Sequence, residues 1–280
     1  MSEIRQRWRL IFARDEEARY LSHLDAVHLW ERAFRRGEIP LATSEGFNPR
    51  PKLVFAAPLQ LGMLAEHDLA DLFLAERLTS PDLRGRLASG MPRGYRVVDL
   101  HDVWVGAPAL APQLVAADYR VTLFNVKHDG LAAAVARLMA AETLPRQRHR
   151  EKRTISYDLR PLLLEARVHA PDPAAIAQAT ADLAAAGLWL RLRHSQDGGS
   201  GRVEEVVAAL ADELGMTTHL STGEAEGGAA EGPGAGGPAT SYELIDTCDP
   251  AATIPFLEAV GAVRERLWLA EELELARLLR

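Results

Sequence analysis

The chain has 280 residues, 48% hydrophobic and 25% charged, the composition of a globular protein with room for two domains of ordinary size. Thirty-two basic against 39 acidic side chains give a formal charge of -7, which excludes a global pull toward nucleic acid or an anionic membrane and leaves such binding to local patches. Cys248 is the only cysteine, which excludes an internal disulfide; with no signal-peptide-like start and no run approaching about 18 apolar residues, a cytoplasmic protein is expected.

Trp8, Leu10 and Phe12 alternate with Arg7, Arg9 and Ile11, the two-residue period of a strand with one buried face. Ser22 stands where an N-cap belongs, with Asp25 three residues on. Leu21, Leu24, Val27, Trp30 and Phe34 then recur at helical spacing, so a helix is expected that stops near Gly37, ahead of Pro40. A turn-rich loop, Thr43 to Pro51, leads to short strand-like runs at Leu53 to Ala57 and Leu69 to Ala75. A helix at Ser80 to Leu87 and a strand at Tyr95 to Leu100 complete the order βαββαβ. That is the order of a ferredoxin-like lobe, expected over residues 1–106.

The second half repeats the pattern. Tyr119, Val121 and Leu123 alternate as a strand, and Leu131, Val135, Leu138 and Met139 mark a helix. A hairpin-like pair follows around Arg146 to Leu159 and Leu162 to His169. Ala174 to Ala186 is alanine-rich and helical, and Leu188, Leu190 and Leu192 alternate into a last strand, so a second ferredoxin-like lobe is expected over 107–220. Val203 to Leu214 adds a helix. Residues 221–240 contain little but Gly, Ala, Glu, Ser, Thr and Pro and read as a disordered linker. In the remainder, 241–280, Leu257, Val260, Val263, Leu267 and Ala270 form one stripe of an amphipathic helix, docked or partner-binding. The fold class is therefore α+β, two ferredoxin-like lobes and a C-terminal helix after the linker.

Three segments carry candidate chemistry. At the start of the first helix, Asp25 caps the exposed amides, or serves with His23, whose protonated form the helix dipole disfavours, leaving a neutral ring fit for general-base work. Asp25, His28, Arg32, Arg35 and Arg36 recur at three and four residues, forming either a solvated ion-paired face or a phosphate-binding stripe. In the loop Ser44-Glu-Gly-Phe-Asn-Pro-Arg-Pro-Lys, Pro49 and Pro51 stiffen the chain around Arg50. Phe47 offers a ring for a base, with Ser44, Asn48 and Lys52 beside it; an ordinary tight turn is the alternative. Lastly, Arg146, Arg148, Arg150 and Lys152 share one face if their segment is a strand, to bind an anion or to guard an edge. Arg160, before Pro161, is a ligand contact or a structural partner. No Walker A sequence, Gly-x-Gly-x-x-Gly, Gly-x-Ser-x-Gly, His-Glu-x-x-His or zinc spacing occurs, so neither a cofactor nor a metal is expected.

The run YLSHLDAVHLWERAFRRGEIPLATSEGFNPRPKLVFAAPLQLG, from Tyr20 to Gly62, resembles the hallmark stretch of the radical SAM-linked proteins, and KRTISYDLRPLL, from Lys152, resembles a second motif of that family. The resemblance covers about residues 5–215 and implies a domain of unknown function, fused to or encoded beside a radical SAM protein. Its genes often lie near those for ribonuclease E/G-type enzymes and ribosomal proteins. One thiol cannot hold a four-iron cluster, so the radical SAM enzyme is expected as a separate partner. The expectation drawn from the residues and the resemblance together is a non-catalytic accessory protein that binds ribosomal or transfer RNA and presents it for modification or maturation. The alternatives are a metal-independent RNA-processing or RNA-modifying enzyme using His23 and Asp25, and a purely structural adaptor docked through the terminal helix.

Overall fold

The computed structural model of the protein describes residues 3–44, 47, 49–150, 153–178, 184–195, 198–220 and 256–278. The expected linker, 221–240, lies outside them.

The first lobe forms for local reasons the sequence displays. Strand β1 (Gln6–Arg14) is followed by helix α1 (His23–Arg36), capped by Ser22 and ended at Gly37. Ser22 Oγ accepts from the Asp25 amide at 3.2 Å and donates to Asp25 Oδ2 at 2.7 Å. Strands β2 (Leu53–Phe55) and β3 (Leu64–Leu74), helix α2 (Ser80–Gly90) and strand β4 (Tyr95–Val103) complete the unit. The antiparallel order β2-β3-β1-β4 is that of the ferredoxin-like βαββαβ arrangement. The buried stripe of α1 is Ala26, Trp30, Ala33 and Phe34. Trp30, wholly buried, meets Phe12, Phe55, Tyr95 and Phe34 edge-on at centroid distances of 4.7, 4.9, 5.3 and 5.4 Å. Each such pair adds about 0.5–1.5 kcal/mol beyond its buried area. Leu24, expected in this stripe, is instead 68% exposed.

In the second lobe the strand assignments change. Strand β5 (Leu114–Phe124) leads to helix α3 (His128–Ala140), and β6 (Pro145–Arg150) pairs with β7 (Arg153–Asp158) in a sheet of its own. Next come β8 (Leu163–His169), a six-residue helix α4 (Pro173–Gln178), β9 (Ala185–Ser195), the two-residue β10 (Gly199–Ser200) and α5 (Val203–Leu214). The last elements are β11 (Thr217–Leu220), β12 (Phe256–Leu269) and α6 (Ala270–Leu278). The antiparallel order β8-β9-β5-β12 repeats that of the first lobe, with α3 and α5 as its two helices. The β6–β7 hairpin and α4 are therefore insertions. The fourth strand is β12, which the residue spacing had marked as helix; only α6 is helical there.

The reason is visible in the pairing. Strand β12 shifts register against β5 between Val260 and Val263, between Arg264 and Arg266, and between Trp268 and Leu269, and Gly261 sits at φ 64°. The first two irregularities put an extra residue in β12 and the third puts one in β5, so the apolar positions Val260, Val263 and Leu267 fall three and four residues apart, as in a helix. Strand β12 also pairs in parallel with β3 through Val263 with Leu64 and Arg264 with Ala65, which joins the lobes into one ten-stranded sheet. At that seam Arg264, 2% exposed, donates to both carboxylate oxygens of Asp68, at 2.7 and 2.6 Å, and to the carbonyls of Pro58 and Ala57.

Candidate functional site

The start of α1 is held by buried donors from the sheet. Arg14, 2% exposed, donates to the carbonyls of Ala18, Arg19 and Leu21 at 2.6–2.7 Å, which fixes the turn ahead of the cap. Arg19 Nε donates to Gly62 O at 2.8 Å and the Gly62 amide returns to Arg19 O at 3.0 Å, tying the turn to the loop before β3. Gly62 has φ +78°, a conformation only glycine adopts without strain. This scaffold sets the His23 ring edge-on to Phe55, centroids 5.6 Å apart, while Tyr20, Leu24 and Leu61 of the tied loop stay exposed. Burial, and second the Arg264 guanidinium, hold the His23 pKa below its ordinary value, so the ring is neutral near pH 7. Asp25 does not join it. The two are i,i+2 neighbours, which do not face each other on a helix, and the Asp25 carboxylate is bonded to Ser22 instead. His28, Arg32, Arg35 and Arg36 are exposed, and Arg36 donates to Gly90 O at 3.3 Å.

The loop at 43–51 is closed at its base. Thr43 bridges Pro51, the Ser44 amide donates to Arg50 O at 2.7 Å, and the Arg50 amide donates to Ser44 Oγ at 3.0 Å. Phe47 at its tip is wholly exposed and the Arg50 side chain faces solvent; Asn48 lies outside the described residues. Lys52 is less free: its ammonium lies 4.7 Å from the Phe73 ring centroid.

The β6–β7 hairpin pairs Arg146 with Tyr157, Arg148 with Ile155 and Arg150 with Arg153, so these six positions share one face; Lys152 lies outside the described residues. Its base is anchored. Arg146 is ion-paired with Asp212 of α5 at 2.5 Å, and the Leu144 amide donates to Asp158 at 2.7 Å. Arg160 is a structural clamp: its guanidinium donates to the carbonyls of Met139, Ala141 and Leu163 at 3.0, 3.2 and 2.7 Å, capping the end of α3. The spacing of a lone arginine before proline could not have distinguished this.

Sequence reasoning also missed a ladder on the second lobe. Trp189 and Arg191 of β9 alternate with Leu190 and Leu192, which enter the core with α3 and α5, so they lie on the face away from those helices. There Arg167 and Arg191 flank Trp189, and Arg191 and Arg266 flank Trp268, at 4.2–5.2 Å. Arg191 is further bonded to Asp118 by two contacts of 2.7 Å. On the first lobe Arg7 and Lys52 lie over Phe73 in the same way. The aromatic rings of both sheet faces are thus occupied by the protein's own cations. Tyr20, though exposed, has the Arg19 guanidinium 5.5 Å from its ring centroid, so the open rings among the described residues are Phe47 and, at 78% exposure after β4, Trp104.

No helix among the described residues is long and apolar enough to cross a membrane, and no group of three His, Cys, Asp or Glu residues there could hold a metal ion. No curated protein matches the sequence. A crystal structure of an unknown protein from Galdieria sulphuraria shares 14% identity over 74% of this chain and 91% of its own, with a TM-score of 0.23. The profile of a family described as an uncharacterized protein conserved in bacteria (DUF2344) matches residues 7–193, a span running from β1 to β9, and the chain belongs to that family.

Proposed function

We propose that the chain is a non-catalytic RNA-binding protein that serves a separately encoded radical SAM enzyme, holding ribosomal or transfer RNA for modification or maturation. The observation that supports RNA most is the clamped loop, which carries a wholly exposed phenyl ring at Phe47 and an exposed Arg50. Base stacking on such a ring tolerates any sequence, and the cation answers the phosphates. The exposed Arg32, Arg35 and Arg36 supply further positive charge. The radical SAM partner rests on the resemblance of the Tyr20–Gly62 run and on a lone cysteine that cannot carry a cluster. The test is a salt titration of the purified chain with bulk cellular RNA. Affinity should fall as salt rises, as counterion release requires; the absence of any salt-sensitive affinity would refute the reading.

A second reading, RNA cleavage or modification by this chain, is favoured by one observation: the neutral, half-buried His23 imidazole. With Asp25 committed to the cap, His23 would act alone as the base. RNA turnover by the wild type that disappears in a folded His23→Ala variant would establish it, and turnover unchanged in that variant would eliminate it.

A further inference from the structure

Strand pairing brings the two open rings to one end of the first lobe. Leu53 of β2, Leu72 of β3, Trp8 of β1 and Asp102 of β4 are register partners in one row across the sheet, and Arg7 pairs with Phe73 and Val103 in the next row out. Lys52 joins that outer row, since its carbonyl accepts from the Phe73 amide at 3.2 Å. Pro51, which closes the Phe47 loop, and Trp104, which follows the last residue of β4, each lie one residue beyond that row. The two anchors are three strand spacings apart, roughly 14–15 Å.

Each ring sits on a clamped turn. The Phe47 loop is closed by Ser44 and Arg50. In the Trp104 turn the Ala107 amide donates to Trp104 O at 2.9 Å, and the buried Arg7 guanidinium donates to the carbonyls of Ala107 and Pro108 at 2.6 and 2.9 Å. The indole rests on the backbone at Gly106, where a Cβ would come within 2.6 Å of its Cζ2. A ring that is exposed yet held in place loses little freedom when a flat ligand stacks on it. Between the two turns, the ends of β1 and β3 frame an open depression of about 730 Å³ lined by Glu3, Ile4, Arg5, Glu76 and Arg77. Anchors for a protein partner need desolvated, well-packed surroundings, whereas four of these five residues are charged and favour a ligand that stays hydrated. Exposed cations stand on the loop at Arg50 and on the floor at Arg77; the acids of the floor are Glu76 and Glu3, the latter ion-paired with Arg5 at 3.6 Å.

Resting on the RNA reading above, we propose that this end of the first lobe is a track for single-stranded RNA with two stacking stations. One unpaired base stacks on Phe47 and another, further along the strand, stacks on Trp104. The backbone between them crosses the depression, its phosphates answered by Arg50 and Arg77. Every base has a face to stack, so the track takes unpaired RNA with little sequence preference, and the bases of a duplex, already stacked on one another, reach neither ring.

The test uses the full chain and two probes, an unstructured uridine-rich strand of about 10 nucleotides, within the span such platforms take, and a blunt RNA duplex of equal length. Phe47→Ala and Trp104→Ala should each weaken the single strand about 5- to 150-fold, the range of one lost stacking contact, and leave the duplex unchanged. Replacing Arg50 and Arg77 together with Gln should lower the single-strand salt slope of log affinity by about 1–2. A thermal melt matching the wild type shows that each variant folds. The second readout is independent of affinity: the single strand should quench tryptophan emission, and the quench should vanish in Trp104→Phe, whose affinity stays within about threefold because a phenyl ring still stacks. If Phe47→Ala weakens the strand but Trp104→Ala does not, or if the quench persists in Trp104→Phe, the second station is wrong although RNA binding stands, and the exposed indole belongs to a protein contact. If the wild type binds neither probe, both readings fall.

Discussion

Asp68→Ala removes the carboxylate at the seam between the lobes and leaves Arg264 uncompensated. Both side chains are 3% exposed, so water cannot replace the lost partner, and two charge-assisted hydrogen bonds of 2.6 and 2.7 Å vanish together. Breaking a buried pair on one side costs about 3–5 kcal/mol. For a chain of this size each kcal/mol moves the midpoint by roughly 2–4 °C, so thermal unfolding should shift down by roughly 10 °C. The control is Glu213→Ala, which breaks the Arg137 pair whose side chains are 53% and 37% exposed. Exposed pairs contribute at most about 1 kcal/mol. A double variant, Asp68→Leu with Arg264→Met, should recover part of the loss. Recovery stays incomplete because the Pro58 and Ala57 carbonyls lose their donor, at about 1–3 kcal/mol for a buried group left unsatisfied. Urea melts of the four proteins give the comparison. If Asp68→Ala costs no more than Glu213→Ala, β12 is not locked to the first lobe by this pair.

Other tests follow from the same geometry. Burial depresses the His23 pKa, so the unfolded chain binds its proton first as pH falls. The stability contributed by neutral His23 is complete above the ordinary histidine value of about 6.5 and is lost as pH drops toward the lowered one. His23→Gln should therefore flatten the loss of stability between pH 7 and pH 5 in urea melts. Glu204 titrates the other way. Burial raises its pKa, and its Oε2 is buried without a partner, so Glu204→Gln should stabilise the protein at pH 8 and change little at pH 4. Arg160→Met should lower urea stability by about 2–4 kcal/mol, because three carbonyls lose a charged donor. Phe47→Ala should leave the melt within about 0.5 kcal/mol, since the ring touches solvent alone.

The first lobe was legible because its signals are local. Ser22, Gly37 and the apolar spacing of α1 placed that helix to the residue, and α5 was read just as closely, Val203 to Leu214. The second lobe was misread wherever a non-local pairing overrode a local one. Ala185 and Ala186 belong to an alanine-rich stretch with high helix propensity, yet they pair with Phe124 and Leu123 as part of β9. In β12 the register shifts disguised a strand as a helix. Deleting that segment therefore removes the fourth strand of a lobe and cannot serve as a test of partner docking.

At the candidate site, sequence found the exposed cations of α1 and the loop, because charge and exposure go together. It could not find Arg14 or Arg264, whose guanidinium groups are buried structural donors, and it left Arg160 open between ligand contact and structural partner. The two partners of the seam pair lie 196 residues apart in the chain, with no motif to connect them. The shared cationic look of Arg50 and Arg160 conceals opposite roles that only the carbonyls around Arg160 reveal.

The most direct test of RNA presentation is ultraviolet crosslinking of the tagged chain in its native host followed by RNA sequencing, with Phe47→Ala, Arg50→Glu as the paired variant. Enrichment of a defined structured RNA by the wild type, lost in a variant that melts normally, is the predicted result. Equal recovery by both, or enrichment by neither, would contradict an RNA-facing loop.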